Sequence, residues 1–198
     1  MVWDETQSGV NDSVFAPRFF MPSPGTLCRR IPNGAFMGDF DVGEMFHNFN
    51  MHPADQQYHG VSLPSELWKE AGAKLGRWTR LTMGFKPSLY LSCRMMARAI
   101  EIAKGPPDEK GSPFAFVTVK LNLPGMPTYD PTQPRVQKLN ADGRPAGDVV
   151  VYMDDGRLIG CDLEQAEAAI RRICATLQAL GIQDAARKRR RICQRSGA

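Results

Sequence analysis

Hydrophobic and polar positions alternate most cleanly in two places. Phe36, Gly38, Phe40 and Val42 alternate with Met37, Asp39 and Asp41, the period of a strand that carries both carboxylates on one face. Gly43 can end that strand, and Glu44-Met45-Phe46-His47-Asn48-Phe49 reads as a short turn or helical piece after it. The second place is Val149-Val150-Val151-Tyr152, where three β-branched residues and a tyrosine favour an extended strand. Asp154-Asp155-Gly156 then marks a tight turn into a second run, Leu158-Ile159, so the stretch predicts a hairpin with acid at its tip.

Two other stretches follow the helical period. Pro87 can open a helix that runs to about Ala103, with Leu89, Cys93, Met96, Ile100 and Ala103 on its apolar side and Arg94, Arg98 and Glu101 outside. Gly105-Pro106-Pro107 closes it. Asp162, with Gln165 three residues on, resembles a capping box for a helix from 163 to 180, whose stripe is Ala166, Ala169, Ile170, Ile173, Cys174, Leu177 and Leu180 before Gly181. Elsewhere the pattern is weaker. Prolines and glycines make 1–35 a turn-rich lead-in with at most short helices, 63–78 is mixed, and the proline-rich stretch 105–147 reads as an insertion with one strand near Phe114–Leu121.

Composition narrows the class. With 198 residues, 42% of them hydrophobic, the expectation is one globular domain, 1–198. No apolar run is long enough to span a bilayer, and Met1-Val2-Trp3-Asp4-Glu5 has neither the basic nor the apolar part of a signal peptide, so an intracellular protein without membrane partners is expected. Five scattered cysteines suggest neither a disulfide framework nor a zinc site. The net charge of +4 gains meaning only from its distribution, since basic residues gather at Arg187–Arg191 and Arg195.

The chain therefore places acids at two strand ends, Asp41 with Asp39 near it, and Asp154-Asp155. Adjacent carboxylates repel and are commonly held by bound cations; the same triplet with glycine is also an ordinary polar turn. If the two strands are neighbours, three carboxylates converge where two divalent ions could sit on the order of 4 Å apart, the arrangement that activates a 3′ hydroxyl and neutralises a leaving pyrophosphate. His47, His52 and His59 match no familiar ligand spacing and read as solvent-facing or locally hydrogen-bonded side chains. No glycine-rich phosphate loop is present.

Tyr152-Met153-Asp154-Asp155 resembles the Tyr-x-Asp-Asp box of reverse transcriptases. Phe40-Asp41-Val42-Gly43-Glu44-Met45-Phe46 is similar to their first catalytic motif, an aspartate followed five residues later by an aromatic. Between the two, Leu81-Thr82-Met83-Gly84-Phe85-Lys86-Pro87-Ser88 resembles the family's Leu-Pro-Gln-Gly-x-x-x-Ser loop, and Val2-Trp3-Asp4 through Val10-Asn11 looks like the end of its fingers motif. The resemblance implies an α+β polymerase palm, an antiparallel sheet backed by the two helices, with 1–35 a partial-fingers lead-in, 105–147 an insertion and no thumb.

It further implies an RNA-directed DNA polymerase of a retroelement Pol polyprotein, working with two Mg2+ ions (Mn2+ being possible) on an RNA or DNA template with primer and on deoxynucleoside triphosphates. The remaining fingers, a thumb and an RNase H region would be its partners in such a polyprotein. By the same resemblance Asp41, Asp154 and Asp155 are catalytic metal ligands, Val42 lends a backbone carbonyl to a metal, and Phe46 is the steric gate against a 2′ hydroxyl. Gly84 and Tyr152 lie along the nucleotide, and Lys188, or failing it Arg187, is the general acid toward pyrophosphate. Met83 departs from the family's glutamine, and Thr82 from its proline. Two other readings compete: a relic palm that binds nucleic acid without chemistry, and an RNA-dependent RNA polymerase, against which Phe46 argues.

Overall fold

The strand expected at 36–42 forms in a computed structural model that describes residues 8–185, 187 and 191–194. In chain order the first elements are α1 (Val10–Ser13), α2 (Pro24–Cys28), β1 (Phe36–Asp41), β2 (Gly60–Ser62), α3 (Trp68–Ala71), β3 (Leu75–Arg77) and α4 (Ser88–Lys104). There follow β4 (Thr118–Leu121), β5 (Val136–Leu139), β6 (Asp148–Tyr152), β7 (Asp155–Gly160), α5 (Leu163–Ala179) and β8 (Cys193–Gln194). The fold is mixed α and β with antiparallel sheets. It divides into two compact units: one holds the residues up to Phe19 and Glu44–Arg94, the other Phe20–Gly43 and the chain from Met95 onward. Among the described residues no helix is long and apolar enough to cross a membrane.

The second unit is built on a four-stranded sheet in the order β6-β7-β1-β8. Its register runs from Phe36 opposite Gly160 to Asp41 opposite Asp155, and from Asp148 opposite Ile159 to Tyr152 opposite Asp155. Alternation gives each face its own set of side chains. One face meets α5, whose buried positions Ala166, Ala169, Ile173 and Leu177 repeat at helical spacing. Close approach is possible because the sheet is trimmed there: a Cβ on Gly160 would lie 2.6 Å from the Ala166 nitrogen. On the other face Val150 and Ile159, with Met37 and Tyr152 beside them, pack against Leu27, Ile31 and Ala35 from α2 and the turn after it.

Both long helices begin and end close to where their patterns predict. The Asp162 side chain caps α5 by accepting from the Gln165 backbone N–H at 2.7 Å, and the Gln165 side chain reaches back to the Cys161 N–H at 2.7 Å, a capping box displaced by one residue. In α4, Met96, Ala99, Ile100 and Ala103 are buried, while Arg94, Arg98 and Glu101 are exposed. Arg172 of α5 holds Glu109 with two 2.6 Å bonds and also donates to the Ala103 carbonyl, so the helix ends and the start of the insertion are tied together.

The insertion holds two strands where the sequence pattern suggests one. β4 and β5 pair from Thr118 opposite Leu139 to Leu121 opposite Val136, and the proline-rich loop between them is bridged by the buried side chain of Asn122. Its amide donates to the carbonyls of Asp130, Gln133 and Pro134 and accepts from the Asp130 N–H. Prolines remove backbone donors from this loop, and the asparagine side chain supplies bonds to its carbonyls instead.

Asp148, at the start of β6, is bound by Lys104 at 2.6 Å and by Arg30. Burial pushes its carboxyl up, but the charges of Lys104 and Arg30 outweigh this and hold it below the ordinary aspartate range. Two outcomes follow for stability. Asp162→Ala should lower it by about 1 kcal/mol in urea titration, the usual cost of a lost cap. Because Asp148 titrates lower folded than unfolded, its contribution is full above the unfolded value of about 3.9 and is lost as pH falls through the lower folded value. Asp148→Asn should therefore cost about 2 kcal/mol at pH 7 and flatten the acid limb of a stability–pH curve.

Candidate active site

The β6–β7 hairpin closes with Tyr152 opposite Asp155, which leaves a two-residue loop, Met153-Asp154. The turn is therefore not Asp154-Asp155-Gly156 as the composition suggests; Asp155 and Gly156 already belong to β7. Met153 takes the left-handed conformation, φ 55°, at the first loop position, where a hairpin of this length commonly uses glycine. A side chain there costs roughly 1 kcal/mol, which the flanking ladder sustains. Nothing in the residue type of Met153 signals a turn.

Beyond the hairpin, β7 brings its acids to β1. Val42 N–H donates to the Asp154 carbonyl at 3.0 Å, which makes that facing pair a hydrogen-bonded one. Asp41 and Asp155, the next pair along, are therefore a non-hydrogen-bonded pair, the kind whose Cα atoms sit about 4.5 Å apart with side chains close together on one face. The strands carrying the two acidic tips are thus direct neighbours, which the sequence leaves open. On its other side Val42 bridges Asp184: Gly43 N–H donates to Gln183 at 2.9 Å and Ala185 N–H to the Asp41 carbonyl at 2.8 Å. In such a bridge the N–H and C=O of Val42 itself point away from Asp184, toward the hairpin tip.

Asp39 shares the face of Asp41 but has a different partner. Arg157 binds it through Nε at 2.8 Å and Nη2 at 3.3 Å, and this bond to Asp39 raises the guanidinium's own pKa. The pair neutralises the third acid on this face. Tyr152 lies with Met37 against the apolar cluster of the same face. Asp41, Asp154, Asp155 and the Val42 carbonyl are all hard oxygen donors of the kind that suits magnesium. Among the described residues, however, no three His, Cys, Asp or Glu side chains already stand in a metal-binding group.

Phe46 and Gly84 belong to the other unit. Phe46, half-buried, sits in the 3-10 turn Met45–Asn48. The Gly84 carbonyl accepts from the Asn11 amide at 2.9 Å, and the Asn11 side-chain oxygen accepts from the Lys86 N–H at 2.8 Å. Asn11 thus joins two of the singled-out motifs, a role its sequence gives no sign of across 75 residues. Met83 is exposed and Thr82 buried. This unit also contains a cavity of about 750 Å³ lined by its own residues, including Phe15, Tyr58, His59, Phe85 and Tyr90. His59 is buried there, its ring edge-on to Phe85 at 4.5 Å between centroids, and is not solvent-facing. His47 stacks on Trp78, and His52 accepts from the Ala54 N–H. Lys188 lies outside the described residues; Arg187 is exposed.

No family profile and no curated protein matches the chain. Solved structures do. A foamy viral protease–reverse transcriptase in complex with double-stranded DNA superposes with a TM-score of 0.59 at 15% identity, over 92% of this chain and 23% of that one. The native prototype foamy virus protease–reverse transcriptase gives 0.59 and 15% over 96% of this chain and 18% of that one. The chain therefore spans about a fifth of the length of these neighbours, and what it shares with them is a reverse-transcriptase-like fold.

Proposed function

We propose that the chain is the palm, with part of the fingers, of an RNA-directed DNA polymerase from a retroelement Pol polyprotein. The observation that carries this reading is the pairing of Asp41 with Asp155 on neighbouring strands, with Asp154 in the adjoining loop, in a fold shared with reverse transcriptases. Asp41, Asp154, Asp155 and the Val42 carbonyl would hold two magnesium ions, or manganese in their place. Bound there, the ions would make a primer 3′ hydroxyl more acidic and neutralise the departing pyrophosphate. The partners are a primer on an RNA or DNA template and a deoxynucleoside triphosphate, with the remaining fingers, a thumb and an RNase H region supplied by the same polyprotein.

The chain's own groups do the rest. The hairpin carries Asp154 and Asp155 on a paired backbone beside Asp41, which would limit the movement needed to bring the three carboxylates onto the ions. Arg157 keeps Asp39 paired on the face that also carries Asp41 and Asp155. Phe46 presents an aromatic face against a 2′ hydroxyl, and Lys188, with Arg187 as its substitute, protonates pyrophosphate as it departs.

The competing reading is a palm that binds nucleic acid without chemistry. Primer extension decides between them. With a primer–template, deoxynucleoside triphosphates and Mg2+, the wild-type polyprotein that contains this chain together with its fingers and thumb should incorporate nucleotides, and Asp154→Asn in it should lose at least about 100-fold of that rate. Undiminished extension by the variant removes the hairpin tip from the site; primer–template binding with no extension by the wild type supports the second reading. Phe46→Val should raise the use of ribonucleotides relative to deoxynucleotides by about 10-fold or more. Unaltered discrimination with a lowered Tm would make Phe46 an ordinary packing residue.

A further inference from the structure

The face of the sheet that meets α5 carries glycine at 38, 156 and 160. At Gly156 the backbone does not require it, since its φ is not positive. Space does. A Cβ on Gly156 would lie 2.0 Å from both Cε1 and Cζ of Phe40 and 2.6 Å from its Cε2, so the ring lies directly over the glycine. Phe40 is 2% exposed and has nowhere to move without displacing its neighbours.

The position of this contact is what gives it a function. Phe40 and Gly156 face each other in the register, and the next pair toward the tip is Asp41 and Asp155. One residue further, Val42 N–H is bonded to the Asp154 carbonyl. The two facing acids are thus bracketed by a ring seated on a glycine behind them and a backbone bond in front. A ring one methyl higher would lift β1 from β7 at the point where the two carboxylates are aligned.

We propose that Phe40 and Gly156 are a positioning pair that sets the separation and aim of the Asp41 and Asp155 carboxylates. The proposal rests on the reading of those acids as cation ligands, and the test separates the two. Amide hydrogen exchange at Val42 reports the clasp at the tip, and titration with Mn2+ reports the carboxylates. Gly156→Ala should speed Val42 exchange and weaken Mn2+ binding by about 10-fold each, the scale of an overpacked contact, while the amides of α5 keep their protection. Phe40→Leu, which removes the ring, should also speed Val42 exchange, and the double variant Phe40→Leu/Gly156→Ala, in which the added methyl fills the vacated space, should return both readouts close to wild type. Gly38→Ala is the control for general strain: its Cβ would meet Ile170 Cδ1 at 2.2 Å on the same strand and face, and it should leave both readouts unmoved.

Wild-type exchange at Val42 in Gly156→Ala, equal acceleration by Gly38→Ala, or no reversal in the double variant overturns the positioning pair. A wild-type chain that binds no Mn2+ overturns the cation reading, while exchange at Val42 still decides the pair.

Discussion

Two carboxylates facing each other across a pair of strands are a liability that the rest of the second unit has to contain. Facing side chains on neighbouring strands lie close enough for like charges to oppose the pairing, so their placement depends on the strands that carry them. The ladder of β7 with β1 and β6 on its two sides holds them together, and the burial of α5 on the opposite face resists separation of those strands. Arg157 removes a third charge from the same face by pairing with Asp39. Asp148, with Lys104 and Arg30, anchors the far end of β6, so the strand that leads into the tip is fixed at both ends.

This arrangement also explains the residues at the tip that break local preference. Met153 sits in a left-handed conformation, and Gly156 occupies a strand position where glycine is ordinarily weakening. Both are tolerated because the register is over-determined by neighbouring pairs. Local strain next to a cluster of like charges is where a fold is expected to give up stability for placement.

Much of this was legible along the chain. The alternation at 36–42 and 149–152, the apolar stripes of the two long helices and the aspartate cap at 162 depend on neighbours within a few residues, and each formed where its pattern put it, except that Leu180 is exposed past the end of α5. The second strand of the insertion was not legible, because its loop is held by Asn122 reaching residues 8 to 12 positions away. Nor was the true hairpin turn: Asp-Asp-Gly has turn composition, yet the pairing of Tyr152 with Asp155 overrides it. His59 escaped for a similar reason, since a histidine's burial depends on the ring it meets.

By itself the sequence determined which segments extend, which coil, and which residue types bring acid to two strand ends, because periodicity and capping are properties of short stretches. It also carried the motif resemblance that gives those acids a chemistry. Tertiary structure alone decided that β1 is the neighbour of β7, that Asp41 faces Asp155 while Asp39 is taken by Arg157, and that a phenylalanine ring fills the space left by Gly156. Those relations join residues more than a hundred positions apart. No local preference encodes them, since they arise only when burial of two sheet faces selects one register out of many.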